Sequence, residues 1–286
     1  MRVLCPICRE LLPIETLICP NGHTFSRKSD GIPNLLPPEL SSRLDAIGRY
    51  REKIRAQLPT ITDYEGLPNS LAESHFEWRG RAQSLGMIKR LIQIHQPKSF
   101  LEIGGWNGWL THHLAGYGAV TAVDFFADSQ DGLGAMTHYQ ARWNRVQMDI
   151  TDLTILDGGA DMVIINNGAH LLKNPLQTIQ QAQHLVADGG VLVILEMPFY
   201  RNPVQRIAQL AGIETQFLAN GGDGSLFLYP TKGYFDSSDK TALRGMGVRL
   251  RSYPRYKMWL KAKFLPSAPI IMMGIWHHST RLSEVP

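Results

Sequence analysis

Cysteine is scarce in this 286-residue chain: the three present all precede residue 20, which excludes a disulfide framework and suits a reducing, cytoplasmic setting. Long apolar runs are also missing, and none approaches the ~20 residues that cross a bilayer. The opening "MRVLCPICRE" lacks the apolar core of a secretory signal, so none is expected. A net charge of +4 is too small to mark a nucleic-acid binder by itself. Acidic residues, however, are absent between Arg244 and Lys263, where seven cations alternate with Tyr253, Tyr256 and Trp259. That segment, 244–264, suits contact with RNA phosphates, an anionic membrane surface or an anionic substrate, and equally an ordinary solvated connection.

Every cysteine falls in one pattern, C-x2-C-x10-C-x3-H, formed by Cys5, Cys8, Cys19 and His23. Four soft or borderline ligands paired on two tight turns suit tetrahedral Zn2+, and with no position open to water such a site is structural. A small zinc ribbon is the expectation for residues 1–38, ended by Pro37 and Pro38. "CPICRELL" and "ICPNGHTFSRKSDGIPNLLPP" resemble the amino-terminal zinc module of bacterial ribosomal-RNA guanine-N1 methyltransferases. The resemblance implies that the module helps to hold RNA.

Residues 39–84 read as a linker with a helical segment. Leu44, Ile47 and Ile54 lie at helical spacing among Arg43, Arg49, Arg51, Lys53 and Arg55, and a solvated basic face is expected there. Residues 59–75 read as loop, and a helix over 78–94 leads into "SFLEIGGWNGWLTHHLAG", a strand, a glycine turn and a helix. Strands follow in "AVTAVD", "NRVQM", "ADMVIINN" and "VLVILEMP", with a helix in "PLQTIQQAQHLVA". This alternation predicts an α/β, Rossmann-like, doubly wound and mostly parallel sheet with its ligand at the carboxyl ends of the strands. Residues 198–235 exceed a normal connection and read as an insertion over the substrate mouth. A last helix near Asp236 and the strands "VRLRSY" and "APIIMMGIW" then complete seven strands; a competing assignment pairs "IETQFL" with "SLFLY".

The glycine register discriminates between ligands. A dinucleotide fingerprint from Gly104 requires glycine at 106 and 109, where Trp106 and Trp109 stand. The pattern E-x-G-x-G-x-G needs Glu102, Gly104 and Gly108, all present, and is interrupted only at Trp106. Asp124, twenty residues beyond Gly104, is placed to accept hydrogen bonds from two ribose hydroxyls.

Residues 85–276 thus resemble the class I S-adenosylmethionine-dependent methyltransferases, and a domain of that class is expected over 85–286. The resemblance places Glu102, Gly104, Gly105 and Gly108 around the methionine end of the cofactor and Asp124 on its ribose. It puts Phe125, Asp149 and Ile150 near adenine, and Asn166, Asn167 and His170 near the sulfonium. "DGLGAMTHY" and a strand ending in "MPFY" add likeness to a narrower group of bacterial methyltransferase-like proteins.

Plainer roles stand beside these: Asp124 and Asp149 as turn caps, Asn166 and Asn167 as strand-end hydrogen bonders, and His170 as a packing residue rather than a general base. Trp106 either turns out of the loop to pack on neighbouring segments or takes space the methionine would use. The resemblance implies methyl transfer to an O or N nucleophile of a small-molecule or glycan-type substrate. An RNA-base methyltransferase is the alternative, although "INNGAH" departs from the Asn-Pro-Pro-aromatic motif of exocyclic-amine enzymes. A non-catalytic binding protein on the same fold is a third reading.

Overall fold

The computed structural model describes residues 1–28, 30–55, 61–222, 224–253, 265 and 267–278. The cationic and aromatic positions from Arg255 to Lys263 lie outside the described residues. In chain order the elements are β1 (Arg2–Val3), β2 (Ser26–Arg27), β3 (Pro33–Asn34), α1 (Pro38–Arg55), α2 (Asn69–Ala72), α3 (Phe76–His95), β4 (Ser99–Ile103), α4 (Trp109–Ala115) and β5 (Ala119–Asp124). There follow β6 (Asn144–Gln147), β7 (Leu156–Asp157), β8 (Ala160–Ile165), α5 (Pro175–His184), β9 (Val186–Phe199), α6 (Val204–Ala219), α7 (Ser237–Gly245), β10 (Arg249–Ser252) and β11 (Ile270–His277).

The main sheet runs β10-β11-β9-β8-β4-β5-β6-β3-β2. Strands β6, β5, β4, β8 and β9 are mutually parallel, whereas β11 lies antiparallel to β9 and β10. These seven form the expected mostly parallel sheet, with β10 and β11 the expected closing pair. "IETQFL" lies in α6 instead, and "SLFLY" forms no strand.

Alternation within the strands sorts side chains to two faces. Leu101, Ile103, Val123, Val163, Ile165, Leu192 and Ile194 pack with Ile179 of α5 and Leu243 of α7. Phe100, Val120, Ala122, Met162, Ile164, Val191 and Val193 pack on the other side with Leu85, Ile88 and Ile92 of α3 and Leu110 and Leu114 of α4. Because both faces are covered, the strands read in sequence as apolar runs.

Two departures from the sequence reading concern backbone economy. The sheet has nine strands because the amino-terminal segment extends it: β3 pairs in parallel with β6, and β2 closes the edge. β1 pairs with β7, and Val3, Leu12, Leu17 and Leu35 enter the same core as β4 and β5. In addition, "VADGG", expected partly as a turn, belongs to the 14-residue β9.

A third departure concerns α1. Leu40, Leu44, Ile47 and Tyr50 are buried, and Arg43, Arg51, Lys53 and Arg55 are engaged by groups distant in sequence. Arg43 donates to the Ser225 and Phe227 carbonyls, Lys53 to that of Asn220, and Arg51 and Arg55 meet Asp128 and Asp131. The helix is therefore an anchored roof rather than a solvated basic face. Among the described residues no helix is long and apolar enough to cross a membrane.

A candidate active site at the strand ends

A cavity of about 340 Å³ opens at the carboxyl ends of the central strands, where a doubly wound sheet leaves a crevice. Its floor includes Ile103, Gly104, Asp124, Phe125, Ile165, Asn166 and Asn167, and Ile150 forms part of its wall. Ile47 and Arg51 of α1 and the loop residues Leu226, Phe227 and Leu228 cover it.

Gly104 sits where the chain leaves β4. Its φ is +80°, and a Cβ there would stand 3.1 Å from the Asn166 carbonyl oxygen, so both conformation and space select glycine. Gly108 caps α4 at φ +81°, with the Trp143 ring only 2.8 Å from where its Cβ would lie. Gly105 packs on Ala122. Gly105 and Gly108 therefore serve the loop's packing, and only Gly104 of the three lines the cavity.

Asp124, at the end of β5, is buried beneath this loop. One carboxylate oxygen accepts the Trp106 N–H at 2.8 Å, and the other accepts the Phe126 N–H at 3.0 Å. Burial raises its pKa above the ordinary value, opposed by those backbone N–H groups and by the Arg51 charge. The Phe125 N–H adds to these, and of the carboxylate's four lone pairs capacity remains for a further donor.

Glu102 lies behind the cavity wall and does not line it. It is fully enclosed, and burial pushes its pKa up to about 8 against the Thr111 and Asn166 hydrogen bonds that favour the anion. The Asn166 amide donates to it at 2.8 Å, so Glu102 acts on the cavity by orienting Asn166.

Asp149 also lies off the cavity lining. Its oxygens accept from the Thr151 N–H and hydroxyl and from the Tyr229 hydroxyl. His170 is buried in the turn after β8 and does not line the cavity either. Burial, aided by the Arg206 charge, holds its pKa down at about 3, so its ring is neutral and weakly basic at neutral pH.

Trp106 has a φ of +43°, a strained conformation for a bulky residue. Its ring turns from the glycine track onto α3 and stacks on Trp78, with centroids 5.6 Å apart and planes 21° apart, while still forming part of the cavity wall. The Arg81 guanidinium carbon lies 4.5 Å from the Trp78 ring centre and 4.6 Å from that of Trp106. Sequence reading missed Trp78 and Arg81, along with the α1 roof. A tryptophan and an arginine three apart on one helix turn were the available signal, but nothing in the spacing tied them to a loop 25 residues later.

At the amino terminus, the ligand atoms of Cys5, Cys8, Cys19 and His23 all lie within 4.8 Å of one another. The Cys8 and Cys19 sulfurs are 3.7 Å apart, and His23 Nδ1 is 3.3 Å from Cys19 Sγ and 3.6 Å from Cys5 Sγ. Thiolates 2.3 Å from a tetrahedral ion stand about 3.8 Å apart, so the four groups fit one Zn2+. The cluster lies on the module that extends the sheet and does not line the cavity.

None of the curated proteins matches this chain. Among solved structures, the plantazolicin methyltransferase BpumL, crystallised with a monoazolic desmethylPZN analog and SAH, is 14% identical with a TM-score of 0.50; the match covers 85% of this chain and 96% of that one. The N-methyltransferase NodS from Bradyrhizobium japonicum WM9 is 11% identical with a TM-score of 0.46, over 71% of this chain and 98% of that one. At 14% identity the likeness to BpumL concerns the fold alone. The model of the methyltransferase domain matches residues 78–222, just over half the chain and the part that builds the glycine loop, the cavity floor and most of the central sheet, and the chain therefore belongs to the methyltransferase-domain family.

Proposed function

We propose that the chain is an S-adenosylmethionine-dependent methyltransferase acting on an O or N nucleophile of a small-molecule or glycan-type acceptor in the cytoplasm. The observation that carries this reading is Asp124. It is a buried carboxylate at the end of the second parallel strand, lining a cavity beside the glycine turn, with acceptor capacity left beyond its backbone contacts.

A ribose hydroxyl donor suits that remaining capacity. Phe125 and Ile150 offer apolar surface for adenine, and Gly104, Asn166 and Asn167 offer backbone and amide groups for the amino-acid part. Glu102 supports that end through Asn166, and Gly105 and Gly108 support it through the shape of the loop. Asp149 contributes by holding Tyr229 and the turn that begins at Ile150.

The cofactor supplies a sulfonium methyl that is already electrophilic. The chain's own work is to position the acceptor in line with it and to keep water out, and α1 with Leu226, Phe227 and Leu228 provides the cover. His170 serves this site by packing, because a buried imidazole with so low a pKa is a poor proton acceptor.

Cys5, Cys8, Cys19 and His23 would hold a structural Zn2+, whose energetic contribution is to order a segment with little core of its own. One observation sustains a second reading, a binding protein without catalysis: the Trp106 side chain forms part of the cavity wall. Calorimetric titration with S-adenosylhomocysteine separates the two, since the enzyme reading requires one site per chain, and absence of binding leaves only the second.

A further inference from the structure

With Asp124, Phe125 and Ile150 assigned to adenosine, and Gly104, Asn166 and Asn167 to the amino-acid part, the side chains left on the cavity wall are almost all apolar. Leu171 and Leu172 follow the asparagines, Leu226 and Phe227 belong to the cover, and Trp106 and Phe126 add flat aromatic surface. Among the described residues that line the cavity, none is serine, threonine, tyrosine, histidine, glutamine or glutamate. The remaining charged ones, Arg51 and Arg81, can only donate hydrogen bonds. Both are balanced from outside the lining, Arg51 by Asp131 and Arg81 by Glu77 and Glu196.

Such a wall discriminates against sugars. Each hydroxyl buried against it without an acceptor weakens binding roughly 5- to 100-fold, and a sugar ring carries several. Size points the same way: about 340 Å³ is near the small end of the ~300–1,000 Å³ usual for ligand sites, which leaves room beside the cofactor for a ring system and not for a glycan chain. Leu171, which lines the cavity and is 39% exposed, marks its open side.

A proton acceptor for the nucleophile is also missing among the described lining residues. Asp124 is taken by the ribose, asparagine amides are not bases, and His170 stands outside the lining. An alkyl hydroxyl needs such a group in order to attack, whereas a phenol, with a pKa of about 10, can lose its proton to water alone. An ammonium group would meet two arginines and, among the described lining residues, no carboxylate other than Asp124.

Resting on the cofactor reading above, we propose that the methyl acceptor is a small apolar aromatic molecule bearing a phenolic hydroxyl, held against the wall to which Leu171 and Phe227 belong. The phenol gives its proton to water. Its oxygen then bonds to the methyl carbon as the carbon–sulfur bond breaks and the bonding pair passes to sulfur, leaving a methyl ether and a neutral thioether. The chain holds the ring in line and keeps water from the reacting atoms.

Three probes test this on the full chain saturated with S-adenosylhomocysteine: 2-naphthol; 2-naphthalenemethanol, which sets an alkyl hydroxyl on the same rings; and methyl α-glucoside. Calorimetry should show one site for each naphthalene compound and binding of the glucoside at least about tenfold weaker. Leu171→Asn, at a partly exposed position, should weaken both naphthalene compounds about five- to tenfold. With labelled S-adenosylmethionine, naphthol should be methylated at least about 100-fold faster than naphthalenemethanol, the scale of a missing general base. Glucoside binding as tight as that of naphthol, no binding of naphthol, or unchanged binding in Leu171→Asn overturns the apolar acceptor site. Methylation of both naphthalene compounds at similar rates, or of neither, overturns the phenolic assignment. If S-adenosylhomocysteine itself does not bind, the cofactor reading fails at that first step and the acceptor assignment with it.

Discussion

Replacing Glu102 with glutamine should make this protein more stable at neutral pH, although it removes a buried charged-type residue from the centre of the sheet. Glu102 is enclosed on all sides, and its pKa stands near 8 in the fold against an ordinary 4.5. Between those values the unfolded chain has released the proton and the folded chain has kept it. The folded state then binds more protons, so stability is fully present below about pH 4.5 and is lost as pH rises towards 8. At 1.36 kcal/mol per unit, the 2.5 units between 4.5 and pH 7 amount to about 3 kcal/mol, and at pH 5 the same linkage is worth only about 1 kcal/mol.

Glutamine mimics the protonated carboxyl. Its amide can donate to the Thr111 hydroxyl, and its carbonyl can accept from Asn166, so both partners of Glu102 stay satisfied. The difference in unfolding free energy between Glu102→Gln and the natural chain, from urea titrations at pH 5, 6, 7 and 8, should therefore favour the variant and grow with pH. Working with the difference removes the other titrating groups. His170 in particular has the opposite sign: its depressed pKa contributes stability that is present above about 6.5 and lost as pH falls toward 3. A variant less stable than the natural chain at pH 7, by a margin that does not vary with pH, would show that Glu102 is ionised in the fold and would refute the reasoning.

Three further outcomes are expected. Purified protein should carry one zinc per chain by elemental analysis, and Cys19→Ser should abolish that content and destabilise the chain by about 3 kcal/mol or more, because ligands and core residues share one module; retention of both zinc and stability would remove the metal from the account. The His170 imidazole should remain neutral down to pH 5 by nitrogen chemical shift, and a midpoint near 6.5 would show that it is solvated rather than enclosed. Trp106→Gly should relieve a backbone strain of about 1 kcal/mol but lose a ring stack and a cation–π contact of similar size each, leaving a net destabilisation of about 1 kcal/mol by denaturant titration; a more stable variant would show that the stack contributes little.

The parts of the fold that sequence revealed are those governed by local periodicity. "SFLEI" and "AVTAVD" are buried on both faces and so read as apolar runs, and the glycine at 104 is demanded by its own φ and by the Asn166 carbonyl. Asp124 is placed at the end of a strand by sequence alone because strand, turn and acid follow one another at fixed spacing. What escaped depends on partners far along the chain. The cations of α1 looked solvated because the groups they meet, such as Asp131 and the Ser225 carbonyl, lie roughly 80 to 180 residues away. Arg81 and Trp78 acquire meaning only when the Trp106 loop folds back on α3. His170 was placed correctly after β8, but its burial is set by the surrounding packing and left no mark on the local sequence. Glu102, Asp149, Gly105 and Gly108, expected around the cofactor, face other protein groups rather than the cavity.

The most direct measurement is titration of the natural chain with S-adenosylhomocysteine, with Asp124→Ala as its partner. The account predicts one site per chain in the natural protein and an affinity at least about tenfold lower in the folded variant, the cost of losing a hydrogen bond to a ribose hydroxyl. No binding by the natural chain, or equal binding by both, would contradict it.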